Sequence, residues 1–408
     1  MAEPRQELHA SVATDFGEGG AARRIIGRRR TADAPLLMTN ILNGDNNVTV
    51  ARLMLALMVL WSHSFAIYLG DEGIEPIAQL TRGLYNAGNV GVACFLILSG
   101  ALILRSWESS SSAWRFTVKR AQRLYPAYLV AVFAGAYIVA PIYAGLDPWG
   151  LLRQSFPTWL GANLVFRGYA PVDQVFEGAP IAAINGSLWS IWYEVFCYIG
   201  LVAGVSLLRQ RFVVGCWVVL AILTAAKIYA DLTGWNPGFG IIGAVVGWPL
   251  LWFSVAGWFV TGMLFHAYRT AIPRSPLILL GIAVAWLAAT WLPSQQLTAR
   301  ILMDVIYTPG LAYILFYVCS TPKTSVEMRA RANDLSYGMY LYAFPTQQII
   351  RAELGPGQPF LVYFALSATC TLVLSIVSWK LVERPFMAGG YAKAAQRARD
   401  AQAKLHQR

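Results

Sequence analysis

Charge is what this sequence has least of. Of its 408 residues only 13% are Asp, Glu, Lys or Arg, where a soluble domain carries about a quarter. A water-facing surface for a chain this long cannot be built from so few charges. Histidine is scarce as well, with four in the chain, and the five cysteines (Cys94, Cys197, Cys216, Cys319, Cys370) stand apart in apolar stretches without a C-x-x-C pair. A disulfide framework and a structural zinc site are therefore not expected, and no metal site is. The sequence also lacks a G-x-x-x-x-G-K-[ST] loop, an H-E-x-x-H pair and a G-x-S-x-G elbow. Those gaps disfavour an ATP-driven pump, a zinc protease and an α/β-hydrolase.

What is abundant is apolar: 57% of residues are hydrophobic, and there are 15 tryptophans and 19 tyrosines. A hydrocarbon core of about 30 Å needs about 20 apolar residues per helix. Ten stretches qualify: 49–69, 86–104, 123–144, 187–208, 212–230, 248–268, 275–292, 301–320, 335–352 and 360–382. The expected fold is an all-α polytopic membrane protein of about ten transmembrane helices. The formal net charge of +11 raises the question of nucleic acid, but the basic residues alternate with the spans. Arg105, Arg115, Lys119 and Arg120, then Arg209 and Arg211, Arg269 and Arg274, Lys323, Arg329 and Arg331 fall on one side; the other side holds acids such as Asp71, Glu72, Asp147 and Glu177. With both termini cytoplasmic, ten spans satisfy the positive-inside rule throughout, and no nucleic-acid partner is expected. Three regions follow: a disordered basic cytoplasmic tail over 1–47, a transmembrane domain over 48–386, and a basic cytoplasmic tail over 387–408.

Ionisable groups inside a bilayer are costly and point to function. His63 lies in the first span, eleven residues after Arg52. At about 100° per residue the two share a helix face, roughly 16 Å apart along the axis. An imidazole that exchanges a proton near neutral pH suits a general base; a core histidine bonded to a neighbouring helix is the competing reading. Glu194 lies in the fourth span, on a stripe with Ser187 and Ser190. A carboxylate there could orient His63, and equal depth would let the two line one cavity. Arg120 and Arg123 sit three residues apart at the cytoplasmic mouth of span three, an arrangement that suits either topology anchoring or phosphate binding. Ser336, Tyr340, Ala343 and Gln347 form a stripe that reads as helix–helix glue, and Glu383-Arg-Pro385 reads as a helix stop.

Taken in order, these segments resemble membrane-bound acyltransferase family 3. The resemblance rests on Arg52 and His63, on Gly91-Val-Ala-Cys-Phe-Leu-Ile-Leu-Ser-Gly100, and on Lys119-Arg-Ala-Gln-Arg-Leu-Tyr-Pro126. It continues through Ser187-Leu-Trp-Ser-Ile-Trp-Tyr-Glu194, Leu335-Ser-Tyr-Gly-Met-Tyr-Leu-Tyr342 and Glu383-Arg-Pro385. One departure is Ala343, where many members of the family carry a histidine. The resemblance implies an acyl-CoA-dependent O-acyltransferase of a bacterial inner membrane. Acetyl-CoA would be a donor substrate, not a bound cofactor, and the acceptor would be a glycan or glycolipid. It implies His63 and Glu194 as the catalytic pair and Arg52, Arg120 and Arg123 as donor-binding residues. The alternative from another class is a proton-coupled secondary transporter using His63 and Glu194; transporters of that kind carry inverted repeats, and none is evident here.

Overall fold

The computed structural model describes residues 35–172, 175–291 and 297–387, and among these it is helical throughout, with no strand. Each apolar stretch of the sequence is a helix: α1 Val48–Leu69, α2 Ala87–Glu108, α3 Ala113–Ala144, α4 Trp189–Leu208, α5 Phe212–Thr233, α6 Pro249–Ala267, α7 Pro276–Trp291, α8 Leu297–Cys319, α9 Ser336–Leu354 and α10 Phe360–Met387. Six helical runs are long and apolar enough to cross a membrane, namely α1, α2, α3, the continuous run from α4 into α5, α6 and α10. Shorter apolar helices lie at Pro276–Thr290 and Val305–Cys319. The chain is thus an all-helical, multi-pass membrane protein.

The helices are held by local devices that leave few backbone groups unpaired. Asn86 and Asn89 exchange side-chain and backbone bonds in a capping box at the start of α2, satisfying donors that a helix start leaves open. At the start of α1 the work falls to a distant residue: the buried Glu327 carboxylate accepts from Thr49 N and Val50 N. Burial raises the affinity of that carboxyl for a proton, yet Arg331 and the two amides more than offset it and hold it below the usual carboxylate range. Where α10 approaches Pro385, the helix widens into a π turn over Trp379–Glu383, the usual response to a lost backbone donor. That turn leaves Glu383 only 1% exposed, so the expected helix stop is instead a buried acid.

One feature of the sequence reads differently in three dimensions. The expected disordered tail ran to residue 47, but residues 35–47 are folded. Leu37, Met38 and Ile41 are buried against Phe316 and Cys319, Leu37 N bonds Ile272 O, and Arg105 donates to Ile41 O. Three apolar side chains in one short turn were enough to dock it. Residues 1–34, with the Arg23–Arg30 cluster, and 388–408, with the C-terminal basic residues, lie outside the described residues. The segment Gly238-Phe-Gly-Ile-Ile-Gly243 has the glycine spacing of a dinucleotide loop. No strand precedes it, and it joins two apolar helices, so that chemistry has no scaffold here.

The closest helix pair is α2 with α6, where backbone meets backbone. A Cβ on Gly100 would stand 2.0 Å from Phe259 O, and one on Gly262 would stand 2.0 Å from Ile97 O. Close crossings of this kind drive helix association in a bilayer, where lipid removes the hydrophobic incentive. Neither contact ends in a flexible side chain that can yield. Gly262→Ala should therefore destabilise the fold by about 3 kcal/mol, the upper end of overpacking costs. Thermal unfolding in detergent reads this directly, and an unchanged midpoint would show that the crossing can relax.

Candidate active site

Five helices converge on a cavity of about 150 Å³. Its polar wall contains Arg52 of α1, Ser99 of α2, Arg120 and Arg123 of α3, Ser190, Glu194 and Tyr198 of α4, and Ser336 and Tyr340 of α9. Its apolar wall includes Phe95, Leu102 and Leu124. The structure thus brings together four of the five residues singled out in the sequence, Arg52, Arg120, Arg123 and Glu194. His63 is not among the lining residues.

The arginines differ in what they are bound to. Asp334, at the linker that leads into α9, accepts at a single oxygen, Oδ2, from Arg52 at 2.9 Å and from Arg123 at 2.8 Å. Its other oxygen accepts from Ser336 at 2.7 Å. Burial alone would favour the neutral acid, but the Arg52 and Arg123 guanidinium groups and Ser336 pull its pKa down to about 2. The carboxylate is therefore charged at any working pH, and the contribution of this pairing to stability is lost only as pH falls below the ordinary aspartate value toward 2. Arg123 also bonds Glu383 at 3.0 Å and lies over the rings of Tyr337 and Trp379. Arg120 makes no ion pair with a described residue, and its Nε is buried without a hydrogen-bond partner. Of the three, its positive charge is the one left unmatched.

Deeper in the cavity, Glu194 Oε1 accepts from Ser99 Oγ and from Tyr198 OH, each at 2.5 Å. Tyr340 OH lies 2.5 Å from Ser190 Oγ and donates to the Ser187 carbonyl. This places Tyr340 on the cavity wall, whereas Gln347 of the same stripe serves as interhelical glue, donating to Leu60 O and Ser64 Oγ.

The expected shared cavity of His63 and Glu194 is not what the structure contains. The His63 ring meets Phe344, one helical turn after Tyr340 on α9, edge-on at 5.3 Å. Phe344 also presses on Gly186, where a Cβ would fall 2.7 Å from the phenyl ring. His63 Nδ1 is buried and without a hydrogen-bond partner, and Glu194 is bonded to hydroxyls instead of to the imidazole. Ala343 faces α1, buried with Ala56, Leu60 and Met339, so this position is a helix contact here.

Three polar residues of the site were not singled out from the sequence. Tyr198 was within reach, four residues after Glu194 and so on its face. Ser99 sits inside the quoted Leu98-Ser99-Gly100 segment. Asp334 directly precedes the Leu335–Tyr342 segment, but it lies outside any apolar span and so escaped a search for intramembrane charge.

The family model described as an acyltransferase domain matches residues 45–380. The chain belongs to this family, acyltransferase family 3. It is 27% identical over 362 residues to the O-acetyl transferase of Shigella phage Sf6, covering 84% of this chain and 96% of that protein. It is likewise 27% identical over 365 residues to Nodulation protein 10 of Rhizobium leguminosarum bv. viciae, covering 84% and 93%. No solved structure matches it significantly. The match takes in every lining residue of the cavity, so the acyltransferase domain and the cavity are one unit. It also removes the ground for a transporter.

Within this acyltransferase, Asp334 is the joint between two helices that carry its arginines. Asp334→Asn leaves Arg52 and Arg123 facing each other without the shared anion, and should cost on the order of 3 kcal/mol. A lowered unfolding midpoint in detergent is expected, and a midpoint equal to that of the unaltered protein would show the cluster to be energetically idle.

Proposed function

We propose that this protein is an O-acyltransferase that moves an acyl group, acetyl in the simplest case, from acyl-CoA to a hydroxyl of a glycan or glycolipid. In this reading α1–α10 all cross a bacterial inner membrane, with both ends on the cytoplasmic side, as the basic loops require. The observation that carries the proposal is the cationic cavity inside an acyltransferase domain. Acyl-CoA is a polyanion made on the cytoplasmic side, and Arg52, Arg120 and Arg123 stand at the end of the cavity nearest that side. Arg120, with its charge unmatched, supplies the phosphate contact; Arg52 and Arg123 shape the wall beside it.

The thioester then extends along the apolar wall toward Tyr340. The acceptor hydroxyl approaches from the outer end, where His63 is the base that removes its proton as the oxygen attacks the thioester carbonyl. The C–S bond breaks, and the CoA thiolate leaves and is protonated. Phe344, edge-on to the imidazole, is the group that the acceptor has to displace. Glu194 contributes a carboxylate inside the cavity. An acetyl donor is favoured by the relative named O-acetyl transferase, and a sugar hydroxyl by the outward position of His63.

Glycan from cells with and without the gene, compared by NMR, should differ by an O-acyl group, and identical glycans would refute the acceptor class. His63→Ala should abolish that group at normal protein level; persistence of the group would remove His63 from the chemistry. Arg120→Gln should raise the KM for acyl-CoA about tenfold or more, the worth of one charge-assisted contact, while the unfolding midpoint stays where it was. An unchanged donor KM would return Arg120 to the role of topology anchor.

A further inference from the structure

Glu194 is held in an unusual way for a carboxylate in a hydrocarbon layer. Among the described residues both of its hydrogen bonds end on the same oxygen, Oε1, from Ser99 Oγ and Tyr198 OH at 2.5 Å each, and the two hydroxyls are 3.5 Å from one another. Among the described residues nothing bonds Oε2, although Glu194 lines the cavity. An acid that served only structure would be expected to satisfy both oxygens within the protein, because each unpaired lone pair in a low-dielectric setting is costly. This one is clamped at one oxygen and open at the other.

The two donors are themselves fixed. Tyr198 is buried, one helical turn along α4 from Glu194, so its hydroxyl is set by the same helix. Ser99 belongs to α2 and directly precedes Gly100, whose backbone is pressed against Phe259 O of α6. A serine at that point has no freedom to follow a wandering carboxylate. The arrangement orients Glu194 from two independent directions.

We infer that Ser99 and Tyr198 are positioning residues for the acyl transfer: they pin Glu194 Oε1, so that Oε2 is the oxygen offered to an N–H or O–H donor of whatever occupies the cavity. This rests on the O-acyltransferase reading. The clamp acts through Glu194 and touches no substrate itself, so its loss lowers turnover and leaves donor affinity alone. Arg120, which lines the same cavity, keeps the anionic end of the donor in place meanwhile.

The test uses the full chain in host membranes, with radiolabelled acetyl-CoA as probe and label in membrane polysaccharide as readout. Ser99→Ala and Tyr198→Phe should each lower kcat about tenfold, the worth of one hydrogen bond to a charged group, with the KM for acetyl-CoA unchanged. The unfolding midpoint in detergent should be unchanged as well. Ser99→Thr keeps the hydroxyl and should recover most of the lost turnover, and the double variant should approach Glu194→Gln. Unaltered kcat in both single variants would overturn the positioning role. So would a loss of kcat that follows a lowered midpoint and that Thr fails to rescue. Absence of label transfer by the unaltered protein would sink the acyltransfer reading and the positioning role with it, whereas an active protein indifferent to both substitutions sinks the second alone.

Discussion

The rest of the site depends on one oxygen of Asp334 that serves two arginines. Arg52 reaches it from α1, Arg123 from α3, and through Glu383 the same cluster is tied to the end of α10. In a bilayer, helices gain little by burying apolar faces against one another, so polar contacts and close packing decide their arrangement. Here the polar contact lies at the membrane edge, where three helices and the entry to α9 meet. Two arginines share the carboxyl groups of Asp334 and Glu383, and that pairing is what allows the guanidinium groups to be partly buried together.

That pairing gives the cavity its electrical character by subtraction. Three arginines line it, but the charge of two is answered from within the protein. What remains is Arg120 and Glu194, which both line the cavity beside an apolar wall of Phe95, Leu102 and Leu124. A ligand with an anionic head and an uncharged, hydrogen-bonding arm matches those surfaces. The shape and the charge sequence together describe a better host for a CoA thioester than a simple ring of arginines would, because a ring would hold the anion without directing what is attached to it.

Much of the fold was legible because the bilayer imposes a simple rule. An apolar run of about 20 residues has to be helical when no water is present to satisfy its backbone, so every such stretch is a helix. The site was legible only in part. Arg52, Arg120, Arg123 and Glu194 stood out as charges where charge is expensive. Asp334 did not, since it lies just outside a span, where an acid is unremarkable. The pairing of His63 with Glu194 was inferred from depth, and depth places two residues at similar levels without fixing the direction each faces about its helix axis. Phe344, an ordinary apolar residue in the sequence, is the ring that His63 meets in the structure. The strap over residues 35–47 was hidden for a similar reason: three apolar side chains in a polar stretch carry too weak a periodicity to signal docking.

The glycine crossing of α2 and α6 has a mechanical corollary. Helices that touch carbonyl to α-carbon cannot slide or rock past one another without lifting apart, so the two behave as one rigid stanchion. Ser99 is mounted on it, and Glu194 is mounted on α4, which is not part of it. Any widening of the cavity to admit a long substrate falls to the partners of the stanchion, and a shift of α4 by the length of one hydrogen bond would unhook Glu194 from Ser99 while its bond to Tyr198 travels along. The carboxylate would then reset only when α4 returns, which makes the seating of that helix a built-in registration mark for a closed and ready site.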